Sequence, residues 1–319
     1  MSTIKVDAIR SNSASSDAIT LDGNGKCAVT ATTVTGTSGN FDNLPSRNLI
    51  INGAMQVAQR GTSSTSNSYA TVDRMSLGEG GLDETCTQSQ ISLGSSDVGP
   101  YAKGFRQAYR IQNGNQTSGA GATDFIRFEY RLEAQDIANS GWDYTNSNSK
   151  ISLQFWIRSS VAQNFYFIVN STDGTARSFP METGSLSAGT WTKVTKTISG
   201  DSSLTFDNNN ETGLTIFFYL YLGTSYANNS VSLNAWRNVA NPQTPTNTTT
   251  WFTTNDATWD ITGLQLEVGS TATDFEHRSY GHELYLCQRY LELVKVSYYY
   301  ATGVYEGSGN PRIPLYWNV

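Results

Sequence analysis

Asp124-Phe125-Ile126-Arg127-Phe128-Glu129-Tyr130-Arg131-Leu132-Glu133 alternates apolar and charged side chains over most of its length. A period of two places Ile126, Phe128, Tyr130 and Leu132 on one face of a strand and Arg127, Glu129, Arg131 and Glu133 on the other. A strand with one apolar face needs a sheet beside it and a second layer beneath it. Five further segments read the same way. Ile151, Leu153, Phe155 and Ile157 share a face, with Trp156 and Arg158 pointing away. Phe165 to Val169 follows, and then Trp191 to Ile198, opened by the turn residues Ala188-Gly189. Leu214 to Leu222 is apolar on both faces. Trp259 to Val268 alternates until Gly263, where its phase slips as at a β-bulge. The stretches between are rich in Gly, Asn, Ser and Thr, the residues of turns. The pattern predicts an all-β chain with a jelly-roll-like β-sandwich over residues 47–280.

Composition agrees. Charged residues are 15% of the 319 residues and aromatics 12%, against about 25% charged in ordinary domains. The net charge of −6 argues against a nucleic-acid partner, which needs a basic surface for phosphates. No run of 18 apolar residues exists to insert in a membrane as a helix. Met1-Ser2-Thr3-Ile4-Lys5-Val6-Asp7 lacks the apolar stretch of a secretion signal, so assembly in a bacterial cytosol is expected. Cys27, Cys86 and Cys287 are far apart and without metal-type spacing, and read as buried thiols.

Residues 1–46 differ in texture from the rest. Thr3 to Ile9, Ala18 to Leu21 and Cys27 to Val29 read as short strands, with too few large apolar groups to bury a core alone. Such a segment needs partners, and is expected to interlock copies of the chain or to dock them on something larger. Leu284, Cys287, Leu291 and Val294 recur at helical spacing behind Ser279, a plausible N-cap, predicting a helix from about 280 to 293 within a final region 281–319. Ile313 to Val319 reads as the start of a strand, from which continuation past Val319 is expected.

Several segments carry a resemblance. Asn48-Leu49-Ile50-Ile51-Asn52-Gly53-Ala54-Met55-Gln56-Val57-Ala58-Gln59-Arg60-Gly61 resembles the opening of a group of tailed-phage tail-fibre proteins. Val72-Asp73-Arg74-Met75, Phe155 to Val161, Gly189 to Lys193, Ile261 to Gly269, and Phe275 to Tyr280 with Leu284 to Tyr290 follow in that family's order. Ser2 to Ile9 with Asp17 to Leu21 is similar to the start of fibre proteins from phages of marine bacteria and cyanobacteria. The resemblance implies a homotrimeric fibre on the virion, anchored to other tail or virion proteins through its N-terminus. It also implies a jelly roll similar to carbohydrate-binding modules, and it supplies no catalytic residues. Residues 201–255 match only loosely.

Catalytic and metal chemistry finds little support. His282-Glu283-Leu284-Tyr285-Leu286 has Leu286 where a zinc-binding helix needs its second histidine. Glu129 and Glu133, four residues apart on one strand face, would stand about 13–14 Å apart, beyond the roughly 6.5–9.5 Å of an inverting glycosidase. Carboxylates from separate strands are left open as an alternative. Asp207-Asn208-Asn209-Asn210-Glu211 and Asp22-Gly23-Asn24 gather oxygens, but calcium needs six to eight, and solvated turns are the expectation. No catalytic residue, metal or cofactor is assigned.

The binding signals are aromatic. Phe217, Tyr219 and Tyr221 form a second face on the Leu214–Leu222 strand, with Trp156 expected on the same sheet face. Rings of this kind stack on sugar C–H faces. They are expected to be covered by another subunit, covered by a loop of the same chain, or open to glycan. Trp236 and Trp251 lie in polar loops, where binding residues collect. The reading is a virion fibre subunit that attaches to host-surface glycan. Its alternatives are a purely architectural connector, a glycan depolymerase and a cellular carbohydrate-binding module.

Overall fold

The computed structural model describes residues 46–293, together with three short strands nearer the N-terminus. The chain divides into two units, Met1–Leu44 and Pro45–Val319. In the first, β1 (Ala8–Ile9), β2 (Ile19–Leu21) and β3 (Cys27–Val29) pair antiparallel in that order. The expectations for the rest of that segment, for Val294 and for Ile313 to Val319 lie outside the described residues.

The second unit is a jelly-roll-like β-sandwich. Its strands are β4 (Ser63–Ser64), β5 (Ser76–Gly80), β6 (Thr87–Ser92), β7 (Gln107–Gln112), β8 (Phe125–Glu133) and β9 (Lys150–Ser159), followed by β10 (Asn164–Ser171), β11 (Arg177–Ser185), β12 (Thr192–Ser199), β13 (Thr212–Leu222), β14 (Arg237–Asn238) and β15 (Thr258–Val268). Sheet I runs β14-β11-β10-β13-β8-β5 and sheet II runs β12-β9-β15-β7-β6-β4, with antiparallel neighbours throughout. Successive strands cross repeatedly between the two sheets, so neither sheet forms without the other.

The alternation of β8 is realised as written. Ile126, Phe128, Tyr130 and Leu132 are buried in the core. Phe128, Phe155, Phe167 and Phe218 meet at its centre. Phe155 stands edge-on to Phe218 at 4.8 Å, and Phe167 stacks on Phe218 at 5.0 Å. Each such ring contributes about 1.5–3 kcal/mol by leaving water. The slip in β15 is a bulge. Its register against β9 jumps between Thr262 and Gln265, and Gly263 takes a φ of 65°. A Cβ on Gly263 would also stand 2.7 Å from the Phe105 ring.

Four longer strands, β5, β6, β7 and β11, were not predicted. Their sequences are largely polar, as in Thr87-Gln88-Ser89-Gln90-Ile91-Ser92, and it is ladder pairing that makes them strands. The helix is shorter than its sequence predicts. α1 is Ala134–Ala138, and α2 spans Tyr280–Gln288, after which Tyr290 and Leu291 both donate to the Cys287 carbonyl. Ser279 does cap α2, accepting from the His282 amide. The buried residues of α2 are Glu283 and Cys287 rather than an apolar stripe.

The segments that carry the family resemblance converge. Asn48 Oδ1 accepts from the Ile50 and Leu266 amides at 2.9 and 3.1 Å, and its amide nitrogen donates to the Leu264 carbonyl. Gly53 lies against that carbonyl so closely that a Cβ would come within 2.1 Å of its oxygen. The Asn52 side chain ties Val57 and Asp73, while its backbone amide donates to Glu283 on α2. Arg278 donates to the Asn48 and Ile50 carbonyls and pairs with Glu283. The motif residues are the framework that joins the first loop, the β15 bulge and the helix.

Candidate functional site

The outer face of sheet II carries the site. On β9, alternation sends Phe155 and Ile157 inward and Gln154, Trp156 and Arg158 outward. Register places Lys193 of β12 and Thr262 of β15 on either side of Trp156. Two segments cross this face. One leads through a 3-10 turn at Tyr101–Lys103 to Phe105, and the other runs back from β15 through Asp274, Phe275 and His277. Phe105, Phe275 and His277 form a ring triad with centroids 4.8–5.0 Å apart. His277 Nε2 lies 2.8 Å from the Lys103 carbonyl oxygen, so that nitrogen carries a proton and donates it there.

Between the two segments is a pocket of about 160 Å³, lined by these rings, Trp156, Gln154, Lys103, Lys193 and Asp274. That volume accommodates about one six-membered ring. Gln154 is 2% exposed, and its Nε2 donates to the Thr273 carbonyl at 2.7 Å. Its Oε1 is buried with no hydrogen-bond partner among the described residues. An unpaired buried acceptor costs about 1–3 kcal/mol, and the residue that carries it lines this pocket. The pocket thus combines an aromatic floor and an imidazole with two ammonium donors and carboxylate and amide acceptors.

A charge network anchors the nearer crossing segment. Arg158 bridges Asp97 and Asp260 at 2.7 Å each, and Arg110 pairs with Asp260 at 2.7 Å. Arg158 also lies 4.6 Å over the Trp191 ring. Burial raises the Asp97 pKa, but hydrogen bonds from the Gly94 amide and the Trp191 indole, with the charge of Arg158, outweigh it and hold the carboxyl below its ordinary value. Asp97 is therefore a fixed anion that pins its loop.

The other sequence candidates are placed differently. Phe217 and Tyr219 share the outer face of sheet I, 6.1 Å apart and stacked, whereas Trp156 belongs to sheet II. Tyr219 is 1% exposed. It packs with Tyr226 and Ala227 and donates to Gln243, so a loop of the same chain covers it. Phe217 stays half-buried beneath the Arg127 guanidinium at 4.7 Å. Tyr221 turns inward, because the β13–β8 register shifts between Tyr219 and Tyr221, and its ring packs on Phe252 at 4.3 Å. Trp251 is fully buried and donates to the Thr258 carbonyl. Trp236 closes one end of the sandwich, packed on Phe179 and donating to the Ser199 carbonyl across the sheets. Tyr221 and Trp251 therefore offer no ring face to a ligand here. The oxygens of Asn208 and Asn209 are taken up by Asn139 and by the Glu211 amide.

No protein-family model matches the chain. No curated protein matches it either. Solved structures give distant likenesses. The enzymatically active domain of tailspike protein 4 from bacteriophage CBA120 aligns over 70% of this chain and 22% of its own, at 8% identity and a TM-score of 0.36. A family 11 carbohydrate-binding module from Clostridium thermocellum, in complex with a mixed-linked tetrasaccharide, aligns over 68% of this chain and 98% of its own, at 12% identity and a TM-score of 0.29. The N-terminal cellulose-binding domain of β-1,4-glucanase C from Cellulomonas fimi covers 68% and 100%, at 8% and 0.31. Likenesses this low say nothing of what this chain binds.

The sequence had singled out Trp156. Gln154, Phe105, Phe275, His277, Lys103 and Lys193 went unrecognised as a group, because the two crossing segments that assemble them come from points about 170 residues apart. The strand register of Lys193 against Trp156 was the one local signal available.

Proposed function

We propose that this chain is a non-catalytic virion fibre subunit that holds a neutral sugar ring in the Trp156 pocket. One observation carries the binding reading: the aromatic-floored pocket is lined by Gln154, whose buried acceptor is unpartnered among the described residues. A pyranose stacked on the half-buried indole presents its C–H face to Trp156. Its hydroxyls then donate to Asp274 and, once the Gln154 side chain turns towards the pocket, to its Oε1, and accept from Lys103 and Lys193. Binding is favoured over hydrolysis because Asp274 is the single carboxylate lining this pocket, whereas glycosidases of the common types use two. The fibre setting rests on the residues that resemble tail-fibre proteins, with residues 1–46 fastening three copies together or onto the particle. Three weak sites on one fibre then act through effective concentration.

A glycan array probed with the full chain, followed by titration of the best neutral hit, tests this. Trp156→Ala is expected to weaken binding at least tenfold with the fold intact. A folded protein that binds no glycan, or a Trp156→Ala variant that binds unchanged, would leave the architectural reading in its place.

A further inference from the structure

A second crevice, on the side where α2 meets sheet I, has a different chemistry. Arg74 stands at its centre. Its backbone φ is 73°, a left-handed conformation that non-glycine residues rarely adopt, and such strain collects at functional sites. The guanidinium is sandwiched, 3.5 Å from the Tyr290 ring centroid and 5.3 Å from that of Tyr130. One nitrogen donates to the Arg131 carbonyl at 2.5 Å, while its Nε is buried with no partner. Among the described residues no carboxylate forms an ion pair with Arg74. A largely buried cation without a counter-ion is costly unless something else supplies the charge.

The surroundings point to what that is. Two adjoining hollows of about 190 and 140 Å³ share Tyr69, Arg74 and Tyr290. Arg60 lines the first and is exposed, and among the described residues it too has no ion-pair partner. Of the neighbouring charges, Glu129 is shared by Arg127 and Arg131, Glu133 pairs with Arg289, and Glu211 lines the second hollow. Among the described residues of the first hollow, Arg60 and Arg74 face Asp73 alone, and two positive charges against one negative leave a surplus of one there. Asp73 is itself occupied by the Gln59 amide groups.

We propose that this crevice is a second ligand site, which takes the carboxylate of an acidic sugar between Arg60 and Arg74 with the Tyr69 and Tyr290 phenols bounding the ring. A guanidinium pairs with a carboxylate through two parallel hydrogen bonds; the exposed Arg60 offers both donors, and the charge of Arg74 lies in the same lining. A monoanion fits the surplus charge better than a phosphate dianion.

Calorimetric titration of the full chain with tri-galacturonate and with its carboxyl-reduced counterpart tests the assignment. The acidic trisaccharide is expected to bind at least tenfold more tightly, and to weaken as salt screens the pair. Arg60→Gln, at an exposed position, should reduce that affinity at least fivefold while leaving the fold intact, and Arg74→Lys should reduce it further. Trp156→Ala should leave it unchanged, which separates this site from the sheet II pocket. Equal affinity for the neutral counterpart, an unaltered Arg60→Gln variant, loss of the acidic ligand in Trp156→Ala, or tighter capture of inorganic phosphate would each overturn the proposal.

Discussion

At the scale of single residues, the same side-chain type does opposite work in different places. Trp251 is wholly enclosed, whereas Trp156 is half-buried against the pocket. Removing a core tryptophan costs about 3–5 kcal/mol, so Trp251→Ala should lower the melting temperature by roughly 10 °C, at about 2–4 °C per kcal/mol for a domain of this size. Trp156→Ala should move it far less. Thermal scans of the two variants side by side check this, and equal losses would show Trp156 to be core. Gly53 gives a sharper case. Any Cβ there meets the Leu264 carbonyl at 2.1 Å, and a clash with backbone cannot be relieved by a rotamer change. Gly53→Ala should cost about 2 kcal/mol, as overpacking does, visible as a shifted denaturant midpoint with an unchanged slope. An unshifted midpoint would mean the first loop is not held against the bulge. Sequence could name these residues but not sort them. Nothing in Thr248-Thr249-Thr250-Trp251 says that this loop folds into the sandwich rather than over it.

At the scale of elements, legibility followed the strength of alternation. β8 and β9 show it plainly because each has an unbroken apolar face against the core, and β15 shows it on either side of its bulge. β6 and β7 do not, because their outward residues are polar and several inward ones are too: Gln88 is fully buried, accepting from Thr71 and Tyr109. A bulge is invisible to a period-two reading, so Tyr221 was placed on the wrong face. The helix was found but its inward face misjudged, since α2 is held by charge as well as by packing. Glu133 at the end of β8 accepts both donors of Arg289 at 2.7 and 3.0 Å. Burial raises the Glu133 pKa, but the hydrogen bonds from Arg289, Tyr290 and Gln135 overcome it and hold the carboxyl at about 2, against an ordinary 4.5. A depressed folded-state pKa stabilises fully above the unfolded value and is lost as the pH falls through the folded one. The difference in melting temperature between the parent chain and Glu133→Gln should thus be constant above pH 5 and shrink towards zero near pH 2. A difference that persists at pH 2 would show that packing, not charge, fastens the helix.

At the scale of the whole molecule, the sandwich and the N-terminal segment obey different rules. Residues 46–293 bury a continuous core of large aromatic and aliphatic side chains and have what a domain needs to fold alone. Among the described residues the first unit has three strands of two or three residues each, and an isolated sheet of that size is marginal in water. Its stability has to come from elsewhere, and symmetric copies of the chain are the economical source. The fibre proposal therefore makes two linked predictions for sedimentation equilibrium. The full chain should sediment as a trimer, and a chain beginning at Ser46 should sediment as a folded monomer. A trimer that survives the truncation would move the assembly contacts onto the sandwich or α2, where Tyr285 is 73% exposed. A monomeric full chain, with the sandwich still folded, would remove the multivalent mechanism and leave a single-site binding module whose affinity has to rest on the two crevices alone.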